Sequence, residues 1–91
     1  MLVITRFRVP AERADAFAAD LHAVVDALGA RPGFGEAFVG RNLDDPGLWT
    51  LTTRWDGVGA YRRALSAYEV KVATAAPYAH AIEEPGAYDA P

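Results

Sequence analysis

Two runs with the period of a strand meet across Asp44-Asp45-Pro46-Gly47, and that junction limits what the chain can become more than any other feature in it. An aspartate at the head of the turn can accept from backbone further on, Pro46 fixes φ, and Gly47 tolerates the dihedrals that close the loop. Residues 34–42 and 48–55 are therefore expected to fold back on each other as a hairpin. In the second run Trp49, Leu51, Thr53 and Trp55 alternate with Leu48, Thr50, Thr52 and Arg54, so one face is apolar and aromatic. Such a face needs a second layer to cover it.

The rest of the sequence supplies that layer. Residues 2–9 alternate Val3, Thr5, Phe7 and Val9 against Leu2, Ile4, Arg6 and Arg8, which predicts a first strand. Pro10 suits a helix start, and Ala14, Phe17, Ala18, Leu21, Val24, Val25 and Leu28 recur at spacings of three and four, with Gly29 as the expected cap. After the hairpin, Asp56 is placed to cap a short helix over 57–65, and Ser66-Ala67-Tyr68-Glu69 has capping-box spacing for another. Pro77 ends that helix, 78–84 is expected to add a turn or two, and 86–91 is expected to be a short strand or an arm.

Strand, helix, strand, strand, helix, with a final strand, is an α+β, ferredoxin-like split β-α-β arrangement with an antiparallel sheet and its helices on one face. The 91 residues allow a single domain over 1–91. The other sheet face would be left bare, and a domain this small without cysteine gains burial from a second copy, so a homodimer packed through the sheets is expected. If the Phe7 side is that interface, Phe7→Glu should unfold the chain.

Charge and composition exclude several function classes. Nine basic against twelve acidic residues, net −3, is the wrong sign for a nucleic-acid binder. No apolar run approaches the ~18 residues that span a bilayer and no leader is legible, so a cytoplasmic protein without a membrane partner is expected. The absence of cysteine removes thiolate chemistry, and two histidines without acidic partners at ligand spacing make no metal site.

Pro32-Gly33-Phe34, a strand, the Asp44-Asp45-Pro46 turn, a strand ending in Trp55, and a following helix carrying Tyr61 resemble the antibiotic biosynthesis monooxygenase family, over roughly residues 2–75. The resemblance implies a dimeric α+β barrel with a pocket between helices and sheet in each protomer. It also implies a cofactor-independent monooxygenase that oxidises a flat, hydrophobic aromatic, anthrone or quinol-like, with dioxygen. Such a phenol deprotonates to an electron-rich carbanion, so the protein need only bind it, favour the anion and admit oxygen to a dry cavity. By the same resemblance Trp55 and Tyr61 match positions around the substrate, whereas Leu51 stands where those enzymes carry an amide.

Haem degradation is rejected. Relatives of that kind need a histidine near Thr74 and a tryptophan near Ala64, strand one offers Thr5 or Arg6 in place of their asparagine, and neither His22 nor His80 falls at the ligand position.

Tyr61 and His80 are the candidate catalytic groups, the first through its hydroxyl and the second as a base; Trp55, Trp49, Phe17 and Leu51 are the candidate substrate-binding residues. Each aromatic has a competing role as core packing, and His22 reads as a solvated helix residue. Arg6, Arg8 and Arg54 offer either a cationic cluster for a phenolate or an ion network with Glu36. The alternatives to a monooxygenase are a non-enzymatic small-molecule-binding or stress-associated dimer, and a non-oxidative polyketide cyclase or isomerase.

Overall fold

The computed structural model describes residues 1–91. Its elements are β1 (Leu2–Arg8), α1 (Ala14–Gly29), β2 (Phe34–Arg41), β3 (Leu48–Trp55), α2 (Val58–Ser66), α3 (Tyr68–Ala75) and β4 (Ala87–Tyr88). Single 3₁₀ turns at Ala11–Arg13 and Pro77–His80 lead into α1 and out of α3. The four strands form one antiparallel sheet in the order β2-β3-β1-β4, the ferredoxin-like order expected.

Register explains which residues are inside. Phe7 pairs with Trp49, Thr5 with Leu51 and Val3 with Thr53, so the two apolar faces seen in the sequence become one continuous face. Onto it α1 lays Ala14, Phe17, Leu21, Val24 and Leu28, all buried. Ala60 and Ala64 of α2 and Val70 of α3 complete a core of 14 buried apolar residues. Phe7 is fully enclosed in that core, so its side of β1 is not the interface: the free face carries Leu2, Ile4, Phe38 and Leu48.

Several local expectations are corrected. Gly29 closes α1 as its last residue, but Ala30 follows in the right-handed region and the left-handed residue is Gly33, at φ 85°. A Cβ at Gly33 would run into the Ala60 methyl, because β2 must start directly beside α2. Gly33→Ala is expected to cost about 1–3 kcal/mol; a urea denaturation midpoint equal to that of the native chain would contradict this. Asp56 makes no cap: extended Gly57 precedes α2, and no side chain bonds the free amides there. The Ser66 hydroxyl donates back to the Arg62 carbonyl instead of starting α3, although the break between the helices falls where expected.

The hairpin turn is held by Asn42 as well as by its aspartates. Asn42 Oδ1 accepts from the amides of Asp44 and Asp45 at 2.9 and 2.8 Å, while Asp45 Oδ1 accepts from Gly47 at 3.1 Å. Arg8 bonds the other Asp45 oxygen at 2.6 Å, and this hydrogen bond, with that from Gly47, holds the carboxyl below the usual range.

The three strand arginines do not form a cationic cluster. Arg54 pairs with Glu36, Arg6 with Glu84 and Arg8 with Asp45, so each charge on the free face is matched locally. No helix is long and apolar enough to cross a membrane.

Candidate active-site cleft

While one edge of β1 pairs with β3 from Leu2 to Arg8, its other edge is flanked by the C-terminal segment, and the space between that segment, β1 and the helices is the candidate site. The Ile82 amide donates to the Arg6 carbonyl at 2.8 Å and the Ile4 amide donates to the Gly86 carbonyl at 2.7 Å. Gly86 lies so close to β1 that a Cβ there would sit 2.7 Å from the Ile4 carbonyl oxygen. Between these anchors the chain bows outward as a strap, and Arg6 clamps it through two hydrogen bonds to the Glu84 carboxylate, at 2.8 and 2.7 Å. A fork-to-fork pair of this kind fixes orientation as well as charge.

Beneath the strap is a cleft of about 340 Å³, lined on the inside by Val3, Thr5, Tyr61 and Tyr78. Tyr78 is aimed there because Pro77 stops α3 and the 3₁₀ turn swings the ring edge-on against Phe7, centroids 5.4 Å apart. Tyr61 comes from the second turn of α2 and leans on Trp55 at 5.7 Å. Burial raises the pKa of both phenols, that of Tyr78 to about 12 with a further contribution from Tyr61. Both therefore stay protonated at neutral pH and act as donors rather than bases.

The remaining sequence candidates are distributed differently. Trp55 is 1% exposed and spends its Nε1 proton on Thr53 Oγ1 at 2.9 Å, while Leu51 is 2% exposed. Phe17 is a buried hub, with Phe7 at 5.1 Å, Trp49 at 5.3 Å and His80 at 5.8 Å. Trp49 lies under the Arg41 guanidinium, 4.8 Å from the ring centroid, with its Nε1 buried and unpartnered. None of these four lines the cleft; they support the walls from behind. Among them Trp55 touches Tyr61 directly.

His80 lines a separate pocket of about 80 Å³ with Arg13, Phe17 and Asp20, so the structure brings it to Phe17 and not to Tyr61. The α-helix does not extend through 78–80, and the single 3₁₀ turn sends Tyr78 to the cleft beside β1 and His80 to the pocket beside α1. His22 is exposed on α1. No group of three or more His, Asp or Glu side chains converges as metal ligands.

Tyr78 is the cleft residue that the family resemblance does not mark. Its signal in the sequence was its place directly after Pro77, where a helix must stop and redirect the next side chain.

With a tyrosine-lined cleft between sheet and helices in view, the sequence match decides the family: the profile of the antibiotic biosynthesis monooxygenases fits residues 1–76. The chain belongs to the antibiotic biosynthesis monooxygenase family. Its fold is shared with SnoaB, a cofactor-independent oxygenase from Streptomyces nogalater, at TM-score 0.87 and 22% identity, covering 99% of this chain and 91% of that one. A conserved protein from Methanosarcina mazei Go1 matches at TM-score 0.80 and 16% identity, over 91% of this chain and 82% of that one. At these identities the likeness is one of fold. No curated protein matches the chain in sequence.

The strap of this family member carries its own pH dependence. Glu84 is held below its ordinary value of 4.5 by the hydrogen bond and charge of Arg6, so the pair's contribution is complete above that value and is lost as pH falls through the lowered one. Protection of the Ile82 amide, taken relative to its intrinsic exchange rate at each pH, is expected to fall on acidification across that window, and Glu84→Gln is expected to remove the dependence. Equal protection of Ile82 in both proteins at all pH values would show that the strap is held by backbone alone.

Proposed function

We propose that the protein is a cofactor-independent monooxygenase that oxidises a flat, phenolic aromatic of the anthrone or quinol class with dioxygen, working as a homodimer. The observation that carries this reading is that Tyr61 and Tyr78 face one cleft, with neither phenol hydrogen-bonded to another side chain. The cleft lies within the size range that holds a small organic ligand, about 300–1,000 Å³, and its inner wall is mostly apolar.

In this proposal the tyrosines donate to the substrate oxygen as negative charge collects on it. Donors fixed before the reaction stabilise developing charge at little reorganisation cost. The substrate loses a C–H proton at the open side, where Glu83 is the carboxylate of the cleft not tied to an arginine. The resulting carbanion passes one electron to dioxygen, the two radicals combine to a peroxide anion that takes the abstracted proton back, and the hydroperoxide loses water to leave a carbonyl at the carbon that began as CH₂. One dioxygen thus supplies one oxygen to product and one to water.

A second reading, binding or non-oxidative cyclisation in the same cleft, is favoured by the position of His80. It faces the other pocket and leaves the cleft without an imidazole base. Oxygen uptake by metal-stripped protein with a model anthrone separates the readings: turnover that survives chelation supports the oxygenase, and binding without uptake supports the alternative.

The free sheet face supplies the argument for the homodimer. Leu2, Phe38 and Tyr88 are 41%, 61% and 53% exposed there, alongside Ile4 and Leu48, and only 16 of the 91 residues are buried. A second sheet laid across this face would roughly complete a barrel.

A further inference from the structure

A second cleft, of about 360 Å³, opens on the other side of Tyr61, walled by Met1, Val58 and Leu65, with Arg62 and Asp89 at the rim. Tyr61 and Ala87 line both this cleft and the one under the strap, so the two spaces adjoin at one phenol ring and one methyl group. The strand pattern gives them a common floor. Met1 extends β1 by one position, exchanging hydrogen bonds with Trp55, and Met1, Val3 and Thr5 then project to the same, helix-covered side of the sheet. At about 3.3 Å per residue that floor runs about 13 Å. The strap is anchored opposite Ile4 and Arg6, so it covers only one end of it.

The two ends differ in chemistry. Under the strap lie both phenols, Thr5 and Glu83, whereas the Met1 end is mostly apolar and its rim charges are of opposite sign, which favours neither an anionic nor a cationic group. We infer that the two clefts are halves of one substrate groove, and that the substrate is a phenolic aromatic bearing an uncharged alkyl chain. The ring system lies under the strap with its oxygen towards Tyr61 and Tyr78, and the chain passes between Tyr61 and Ala87 into the outer cleft. The inference rests on the phenolic substrate proposed above and adds the apolar substituent. Seating the chain removes apolar surface of Met1, Val58 and Leu65 from water together with its own. A fully buried methylene is worth about fourfold in affinity, and in a cleft open on one side about threefold.

The test is equilibrium binding, without turnover, of 1,8-dihydroxyanthraquinone and its homologues carrying methyl, ethyl or propyl on a terminal ring, followed by quenching of tryptophan fluorescence. The native chain is expected to bind the propyl homologue about thirtyfold more tightly than the parent, at about threefold per carbon. Val58→Asp, which suits the first turn of α2, and Ala87→Phe, which fills the passage beside Tyr61, are each expected to cut that ratio below about threefold. Val72→Asp, on exposed α3 away from both clefts, is expected to keep it. Because the readout is a ratio within one protein, partial unfolding does not imitate the result. A parent that binds with a flat series overturns the shared groove and leaves the aromatic reading standing. A gain with chain length that survives both Val58→Asp and Ala87→Phe also overturns the groove, since the chain then lies elsewhere. No binding by any member overturns the groove and the aromatic reading together.

Discussion

Phe7→Ala is expected to lower the melting temperature by at least about 12 °C and to leave a measurable fraction of the chain unfolded at room temperature. Phe7 has no exposed surface, sits on a central strand and contacts the rings of Phe17 and Tyr78. Truncating such a phenylalanine costs about 3–5 kcal/mol, because the transfer free energy of the ring and the cavity left behind add. A chain of this length has about 5–14 kcal/mol in total, so the loss is a large share of it. Each kcal/mol moves the midpoint by about 4–8 °C at this size. The check is thermal unfolding followed by circular dichroism at fixed protein concentration, since a dimer's midpoint depends on concentration. A shift below about 5 °C would mean that the Phe7 ring is not the centre of the core.

The second large effect concerns turnover. Tyr78→Phe is expected to reduce kcat about a hundredfold with little change in KM, and Tyr61→Phe to do the same, since removing one preorganised donor to a developing oxyanion costs about 10²–10³ in rate. The split matters. A donor that acts only as charge builds up lowers kcat, whereas a group that merely holds substrate raises KM. Trp55→Phe serves as the contrast: its ring is enclosed and its Nε1 proton goes to Thr53, so it should reduce stability and leave most of the turnover. A Trp55→Phe loss as large as that of the tyrosines would move the site from the cleft into the core.

Much of this architecture is legible in the sequence because period and punctuation agree. The alternation in 48–55 places Trp49, Leu51, Thr53 and Trp55 on the buried face, and the three-four spacing in α1 places Phe17, Leu21, Val24 and Leu28 there too. The break at Ser66 is legible for the same reason. Sequence pattern alone does not tell which face of a two-faced sheet receives the helices, so it leaves open whether the Phe7 side is core or interface. The site is harder still. Trp55 carries the resemblance to the family, yet register makes it a wall behind Tyr61, and only the three-dimensional turn after Pro77 shows that Tyr78 and not His80 joins Tyr61. Non-local contacts such as Arg6 with Glu84, 78 positions apart, leave no local trace in the sequence.

Oxygen uptake by exhaustively chelated protein with a model anthrone decides whether the Tyr61–Tyr78 cleft carries out cofactor-free oxygenation. Uptake above the uncatalysed rate, one dioxygen per quinone formed, unchanged by chelation and reduced about a hundredfold in Tyr78→Phe, is the predicted result. Folded protein that consumes no oxygen across a panel of anthrones and quinols, or whose uptake is unaffected by Tyr78→Phe, would contradict it.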